Sequence, residues 1–447
     1  MKTRSGLTLM LFLAFSAAAF AQDKNLPTRM PAVLPWSQQI AVREAWLQKR
    51  HAMLLPMMRK HGVSMWIVVN EEFHNDPLTE YVAPPRVYTG NRDIFVFVDA
   101  AADGLKKFAV TGYAEETLKQ FFETWDEPRP AKIVLKELFD KYQPKTIALS
   151  FTGARGVTRS LTHDSFQFLS ESLGPDAASR FVPAAGLIED YLSTRLPEEF
   201  ATYQSMVEAT EILTHRALSN EVIRPGTTTV GDIRRWLYDQ LWENHYTTWF
   251  QPDIRVQRRG LTSNLSRGFL AVASESVVIQ PGDLLHIDFG ITYMGLNTDW
   301  QKMAYVLKPR ERDVPAGLKV AIANTNALQD AVTQNARPGK TAGEVYQSAM
   351  AQMQQKGIEA KIYSHPIGAQ GHGLGPSIDY RAGERTSMEA GRPLVNGTYL
   401  SVELNSATSI PEWDGQKVFV MMEDDAYLTD DGYKYFRPRQ TAFYLVH

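Results

Sequence analysis

Short runs dense in β-branched and aromatic residues, Met65–Val69, Ile94–Val98, Phe108–Thr111 and Thr146–Ser150, predict strands in the first part of the chain. Helical spacing of apolar positions marks Gln38–Lys60, Ala114–Thr124, Ala131–Lys141 and Arg159–Ser172. Strands alternating with helices predict a small α/β unit. The rhythm changes near residue 195. Leu196-Pro197-Glu198-Glu199 opens a helix with acidic residues in its first turn, and Phe200, Tyr203, Val207 and Thr210 continue it at helical intervals. The expected organisation is therefore a unit over residues 22–194 and a second over 195–447.

The second unit carries a weak internal repeat. Arg224-Pro225-Gly226 leads to Thr229-Val230-Gly231-Asp232-Ile233, and Arg337-Pro338-Gly339 leads to Thr341-Ala342-Gly343-Glu344-Val345. In each copy a helical stretch precedes the Pro-Gly turn and an amphipathic helix follows it. Two similar halves are expected, with a site between them drawing residues from both.

Residues 1–21 read as a signal peptide. Lys2 and Arg4 start it, Leu7–Phe20 is almost wholly apolar, and Ala19-Phe20-Ala21 offers a cleavage site. The run is short for a spanning helix, which needs about 20 residues. A periplasmic or secreted protein is the expectation, with no membrane attachment after cleavage. Lys2 and Arg4 are the charged residues of this leader, so its removal moves the net charge from -3 to -5. That mild acidity argues against nucleic acid as a partner. The chain has no cysteine, which excludes disulfides and thiol catalysis. No Gly-rich phosphate loop opens a helix.

The chemistry concentrates later. Asp288 closes the apolar strand Leu284-Leu285-His286-Ile287, where an unpartnered carboxylate is costly to bury. A Gly-rich turn through Tyr293-Met294-Gly295 would bring Asp299 back beside it. Glu403 and Glu423 each interrupt an apolar, strand-like run, and lone buried glutamates are rare. His372 lies in Gly371-His372-Gly373-Leu374-Gly375, where backbone approaches a ligand closely. Four carboxylates and an imidazole form a hard, oxygen-rich set that suits divalent ions such as Mn, Co or Fe better than a structural zinc site. His286, two residues before Asp288, faces the same side of its strand; a core histidine and a catalytic one are both open readings. His365 and Asp379 are candidates for substrate binding.

This order, with GDLLHIDFGITYMGLNTD against the pattern GDLVxIDxGxxYxGYxxD and then GHGLG, resembles the M24 metallopeptidases, among them methionine aminopeptidase, aminopeptidase P and prolidase. The resemblance runs over about residues 195–447, and the preceding part looks like the smaller domain of aminopeptidase P and prolidase. It implies a mixed α/β (α+β) chain whose C-terminal domain has the pita-bread fold with pseudo-twofold halves. It also implies two divalent metal ions (Mn favoured, with Co, Fe or Zn as alternatives) bridged by a hydroxide and held by Asp288, Asp299, His372, Glu403 and Glu423. Glu403 would double as proton shuttle. The implied substrates are short peptides with proline after the first residue, and a homodimer is expected by resemblance alone. Three positions depart from the pattern. Asp379 stands where prolidase-like enzymes carry a histidine seven residues after the metal histidine. Gly268-Phe269-Leu270-Ala271 lacks a second histidine, and Met421 replaces an arginine two residues before the last glutamate. These departures leave room for a hydrolase of another C–N bond or a metal-binding relative without catalysis.

Overall fold

The computed structural model describes residues 29–447 except 86–89, 114, 126, 128, 264, 267–268 and 382–390. The signal peptide expected over residues 1–21, and Gly268 of the expected histidine region, lie outside the described residues. Among the described residues no helix is long and apolar enough to cross a membrane.

The first sheet is built from β1 (Met65–Glu71), β2 (Arg92–Asp99), β3 (Leu105–Val110), β4 (Ile147–Leu149) and β5 (Phe181–Pro183) in the order β3-β2-β1-β4-β5. β1 runs antiparallel to β2 and parallel to β4. The central strands β1 and β2 are apolar and buried along most of their length because both faces are covered. The helices are α1 (Trp36–Lys60), α2 (Thr79–Val82), α3 (Glu116–Phe121), α4 (Ala131–Tyr142), α5 (His163–Leu173), α6 (Pro175–Ala178) and α7 (Ala185–Ser193). The helix expected from Arg159 instead begins at His163, because Thr162 accepts a hydrogen bond from Ser165 N at 3.0 Å and caps it there.

After α7, Pro197–Glu199 forms a 3₁₀ turn leading into α8 (Phe200–Ala217), so the boundary drawn at residue 195 falls in the connection between the two. α8 is followed by α9 (Val230–Glu243), and later α10 (Ala316–Asn335) by α11 (Ala342–Gln355). The two pairs correspond in detail. Thr229 and Asp232 form a capping box at the start of α9, as Thr341 and Glu344 do for α11. Gly226 and Gly339 both take positive φ, 82° and 87°, where glycine is favoured. Thr229 bridges Val278, and Thr341 bridges Pro393, in the same antiparallel manner. The repeat read from the sequence is thus a pair of matching structural halves.

Between these helix pairs lies a curled sheet. Its strands are β6 (Asp253–Gln257), β9 (Leu284–Asp288), β12 (Gln301–Val306), β13 (Glu359–Pro366), β14 (Ile378–Asp379), β15 (Tyr399–Ile410) and β16 (Gln416–Thr429). β17 (Gly432–Tyr435) pairs with β16, and β18 (Tyr444–Val446) with β12. Two small ribbons, β7 (Leu265–Ser266) with β8 (Phe269–Leu270) and β10 (Thr292–Tyr293) with β11 (Leu296–Asn297), project from it. The main order is β14-β13-β15-β16-β12-β9-β6. Leu285 and Ile287 of β9 join the core formed with Val207, Leu213, Ile233 and Leu237 of α8 and α9. Alternation therefore turns His286 and Asp288 to the opposite, concave face.

Candidate metal centre

Strand register assembles the site. Asp253 is directly opposite Asp288, Asp288 opposite Gln301, Gln301 opposite Glu423, and Glu423 opposite Glu403. Directly opposed residues share a face and lie about 5 Å apart at Cβ. One row across β6, β9, β12, β16 and β15 thus carries four carboxylates and one amide. Asp299 enters just before β12, after the β10–β11 ribbon has turned the chain back. His365, at the end of β13, is opposite Ser401, whose hydroxyl donates to Glu423 Oε1 at 2.6 Å. His372 follows on the Gly-rich loop, its ring edge-on to Trp249 at 5.1 Å and to His365 at 4.7 Å between centroids.

Donor atoms of Asp288, Asp299 and Glu423 all lie within 4.8 Å of one another. The same holds for His365, Glu403 and Glu423, and for Asp299, His365 and His372. Asp288 Oδ1, Glu423 Oε2 and His365 Nε2 are buried there without a hydrogen-bond partner. Buried polar atoms without partners are costly, and these converge on shared space, so the residues fit a bound divalent cation. Electrostatics agrees. Burial first, then the negative neighbour Glu423, pushes the Asp288, Asp299 and Glu403 carboxyls well above the usual carboxylate range. Burial lifts Glu423 to about 7. Burial also pushes His365 down to about 4, and burial with His365 beside it takes His372 down to about 3. The protein alone thus resists charge of either sign here, and a cation relieves the repulsion among the carboxylates.

Gln301 binds the row together. Its amide nitrogen donates to Glu403 Oε1 at 2.5 Å and to Asp288 Oδ2 at 3.2 Å, while its carbonyl oxygen faces His286 Nε2 at 2.9 Å. His286 is fully buried, and burial, with Arg255 next, pushes its imidazole down to about 3. Its hydrogen bond to the row runs through Gln301. Asp425 sits two residues beyond Glu423 and so shares its face. It accepts from Tyr203 Oη at 3.0 Å and from the backbone nitrogen of Asp299 at 3.2 Å, fixing where Asp299 begins. Asp424, facing the other way, is closed off by Lys302 Nζ and Gln329 Nε2, each at 2.7 Å. Arg255 pairs with Asp253 through Nε and Nη2 and places Nη1 3.8 Å from Met421 Sδ. A guanidinium from β6 therefore stands beside the position where the pattern has an arginine on β16.

Asp379 lies on β14, with both carboxylate oxygens engaged by Arg381. Gln301, Asp253, Asp425 and Arg255 were not singled out in the sequence. The two-residue spacings Asp299–Gln301 and Glu423–Asp425 were the available signal for Gln301 and Asp425.

Two segments carrying these donors are tied to each other and to the first unit. Asn297 N donates to Gly368 O at 2.7 Å, and Asn297 Nδ2 to Ala369 O at 3.1 Å. Tyr81 Oη, from α2, donates to Gly295 O at 2.9 Å and also reaches Ala369 O.

The family model of metallopeptidase family M24 matches residues 201–430. The chain belongs to this family and is a hydrolase of its metal-dependent kind. The uncharacterized peptidase YqhT of Bacillus subtilis (strain 168) is 30% identical over 174 residues, 39% of this chain and 43% of that relative, so the match spans under half of the relative's length. Among solved structures, the X-Pro aminopeptidase from Thermotoga maritima MSB8 is similar with TM-score 0.65 and 20% identity, over 88% of this chain and all of that one. The Xaa-Pro dipeptidase from Bacillus anthracis gives TM-score 0.63 and 19% identity, over 89% and 99%. These similarities establish the pita-bread fold preceded by a smaller α/β part.

Proposed function

We propose that the chain is an exported, dinuclear metal-dependent aminopeptidase or dipeptidase acting on short peptides, with preference for the bond before proline. The observation that carries the reading is the row of carboxylates across five strands, converging with two imidazoles. Asp288, Asp299, His372, Glu403 and Glu423 would hold the ions, which would acidify a water and polarise the scissile carbonyl when bound. Glu403 is the proton carrier. Gln301 occupies its Oε1 and leaves Oε2 directed at the ions and the reacting groups between them. The proton passes from the attacking water to the leaving amine. His286 acts as a positioning residue by orienting Gln301. The names of the similar solved structures support the preference for Xaa-Pro peptides.

A second reading has its own support. Asp379 is held by Arg381, and Met421 stands where the peptidase pattern has arginine, so substrate handling differs from that pattern. A hydrolase of another C–N bond would keep the metal chemistry with a different substrate grip. The test is metal content of the purified mature protein, with hydrolysis of matched Xaa-Pro and non-proline peptides after Mn, Co or Zn addition. About two ions per chain and cleavage before proline are expected. Bound metal without any peptide cleavage would move the conclusion to the second reading, and absence of bound metal would sink both.

A further inference from the structure

The row holds a carboxylate that the ion-holding residues do not include. Asp253 ends it on β6, the last strand in the order of the main sheet, directly opposite Asp288. Burial first, then Glu423 and then Asp253, push the Asp288 carboxyl up, so the two aspartates stand at short range. Yet among the described residues Asp253 belongs to none of the converging donor sets that Asp288, Asp299, His365, His372, Glu403 and Glu423 form.

Arg255 decides which oxygen of Asp253 stays open. It lies opposite His286 and so shares the concave face. Its Nε and Nη2 both donate to a single oxygen, Asp253 Oδ2, at 2.9 and 2.7 Å. Oδ1 is left buried and without a partner, which is costly unless something comes to fill the place. The guanidinium holds the carboxylate still and repels a divalent ion. Oδ1 therefore suits a singly charged group that brings its own hydrogens, and a primary ammonium, with three donors, is such a group.

The spacing selects one kind of ammonium. In a peptide the α-nitrogen lies about 2.5 Å from the carbonyl carbon of its own residue, and an N⁺–H···O⁻ bond adds about 2.8 Å. An acceptor for the amino terminus thus stands about 5 Å from the carbon under attack. One step across the sheet is about 4.8 Å, and Asp253 is one step beyond Asp288, the nearest of the ion-holding carboxylates in the row.

We propose that Asp253 Oδ1 receives the free α-ammonium of the peptide, so that a single residue precedes the bond that is cut. This rests on the peptidase reading above and deepens it, by naming the residue that restricts the enzyme to the amino terminus. Arg255 is a positioning residue, fixing the carboxylate so that Oδ1 is the oxygen offered.

Ala-Pro and propionyl-proline differ by the α-amine alone and so test this. With the metal-loaded protein, KM is measured for Ala-Pro and the competitive inhibition constant for propionyl-proline, alongside metal content. Asp253→Asn should raise KM for Ala-Pro at least ~10-fold, the scale of a lost hydrogen bond between charged groups, and shift the propionyl-proline constant by less than about twofold. Asp253→Asn combined with Arg255→Gln leaves no lone guanidinium and should show the same split. An unchanged KM in a folded variant, equal weakening of both ligands, or loss of bound metal would each overturn the proposal and make the pair structural. If the unsubstituted protein binds metal but cleaves no peptide, the peptidase reading fails and this role for Asp253 falls with it.

Discussion

Replacing Gly290 by alanine would place a methyl group where the structure has no room for it. A Cβ there would lie 2.1 Å from the carbonyl oxygen of Thr298, 2.9 Å from Trp249 Nε1 and 3.0 Å from Phe250 Cε1. Van der Waals partners settle at about 3.5 Å, so the Thr298 carbonyl must retreat by roughly 1 Å. That carbonyl accepts the Trp249 indole hydrogen at 2.9 Å and immediately precedes Asp299. Overpacking of this kind costs about 1–3 kcal/mol, and the strained indole hydrogen bond adds about 1 kcal/mol. Together they predict a loss of roughly 3 kcal/mol in stability. The effect on chemistry should be larger, because a misplacement of about 1 Å costs about 100-fold in rate. Thermal unfolding followed by circular dichroism, metal affinity by calorimetry and turnover on the preferred peptide would be measured together. Gly112→Ala is the control, since a Cβ there meets nothing within 4 Å; it should stay within about 0.5 kcal/mol of the parent. A Gly290→Ala protein with parental unfolding temperature and metal affinity would refute the close approach of the two aspartate-bearing segments.

Asp288→Asn removes a charged donor with little change of volume, so the protein should fold while turnover drops more than ~100-fold, in line with the several kcal/mol a metal supplies. Metal affinity should depend steeply on pH. Glu423, lifted to about 7, and the other raised carboxyls must lose protons before binding, whereas His365 and His372, lowered to about 4 and about 3, are already neutral. Affinity should therefore fall as pH drops below about 7, by at least ~10-fold per unit; a flat calorimetric profile between pH 5.5 and 7 would contradict this. His286→Ala should weaken metal binding by about 10- to 100-fold through the freed Gln301 amide, and a variant that is destabilised yet binds metal normally would make His286 a core residue only. Thr229→Ala and Thr341→Ala each remove a capping box and should cost about 1 kcal/mol by urea unfolding, with near-equal effects expected from the matching halves.

Much of the architecture was legible because it rests on local chemistry. Four strands of the first sheet announce themselves by buried β-branched and aromatic runs, whereas the short, half-buried β5 was not read from the sequence, and the capped helices at Thr229 and Thr341 announce themselves by their Pro-Gly turns. The aspartates, glutamates and His372 stood out because each interrupts an apolar or glycine-rich context. Gln301, Asp253 and the neighbourhood of His365 were hidden for a different reason. Their meaning comes from strand order. Nothing local places β6 at the end of the sheet beside β9, or β12 between β9 and β16, yet that order alone puts Asp253 and Gln301 in the carboxylate row. Glu199 shows the converse. Its place in the first helical turn was evident, but it is buried against Arg50 of α1 and serves the contact between the two units.

Tyr81 gives that contact a chemical purpose. Its hydroxyl reaches the turn between Asp288 and Asp299 and the loop leading to His372, so a residue of the smaller unit fastens two donor-bearing segments at once. A fragment beginning near residue 195 would keep every carboxylate and both histidines and still lack this fastener. A chimera that borrows its first unit from another protein keeps these two segments fastened from that side when the borrowed piece brings a hydroxyl to the same place.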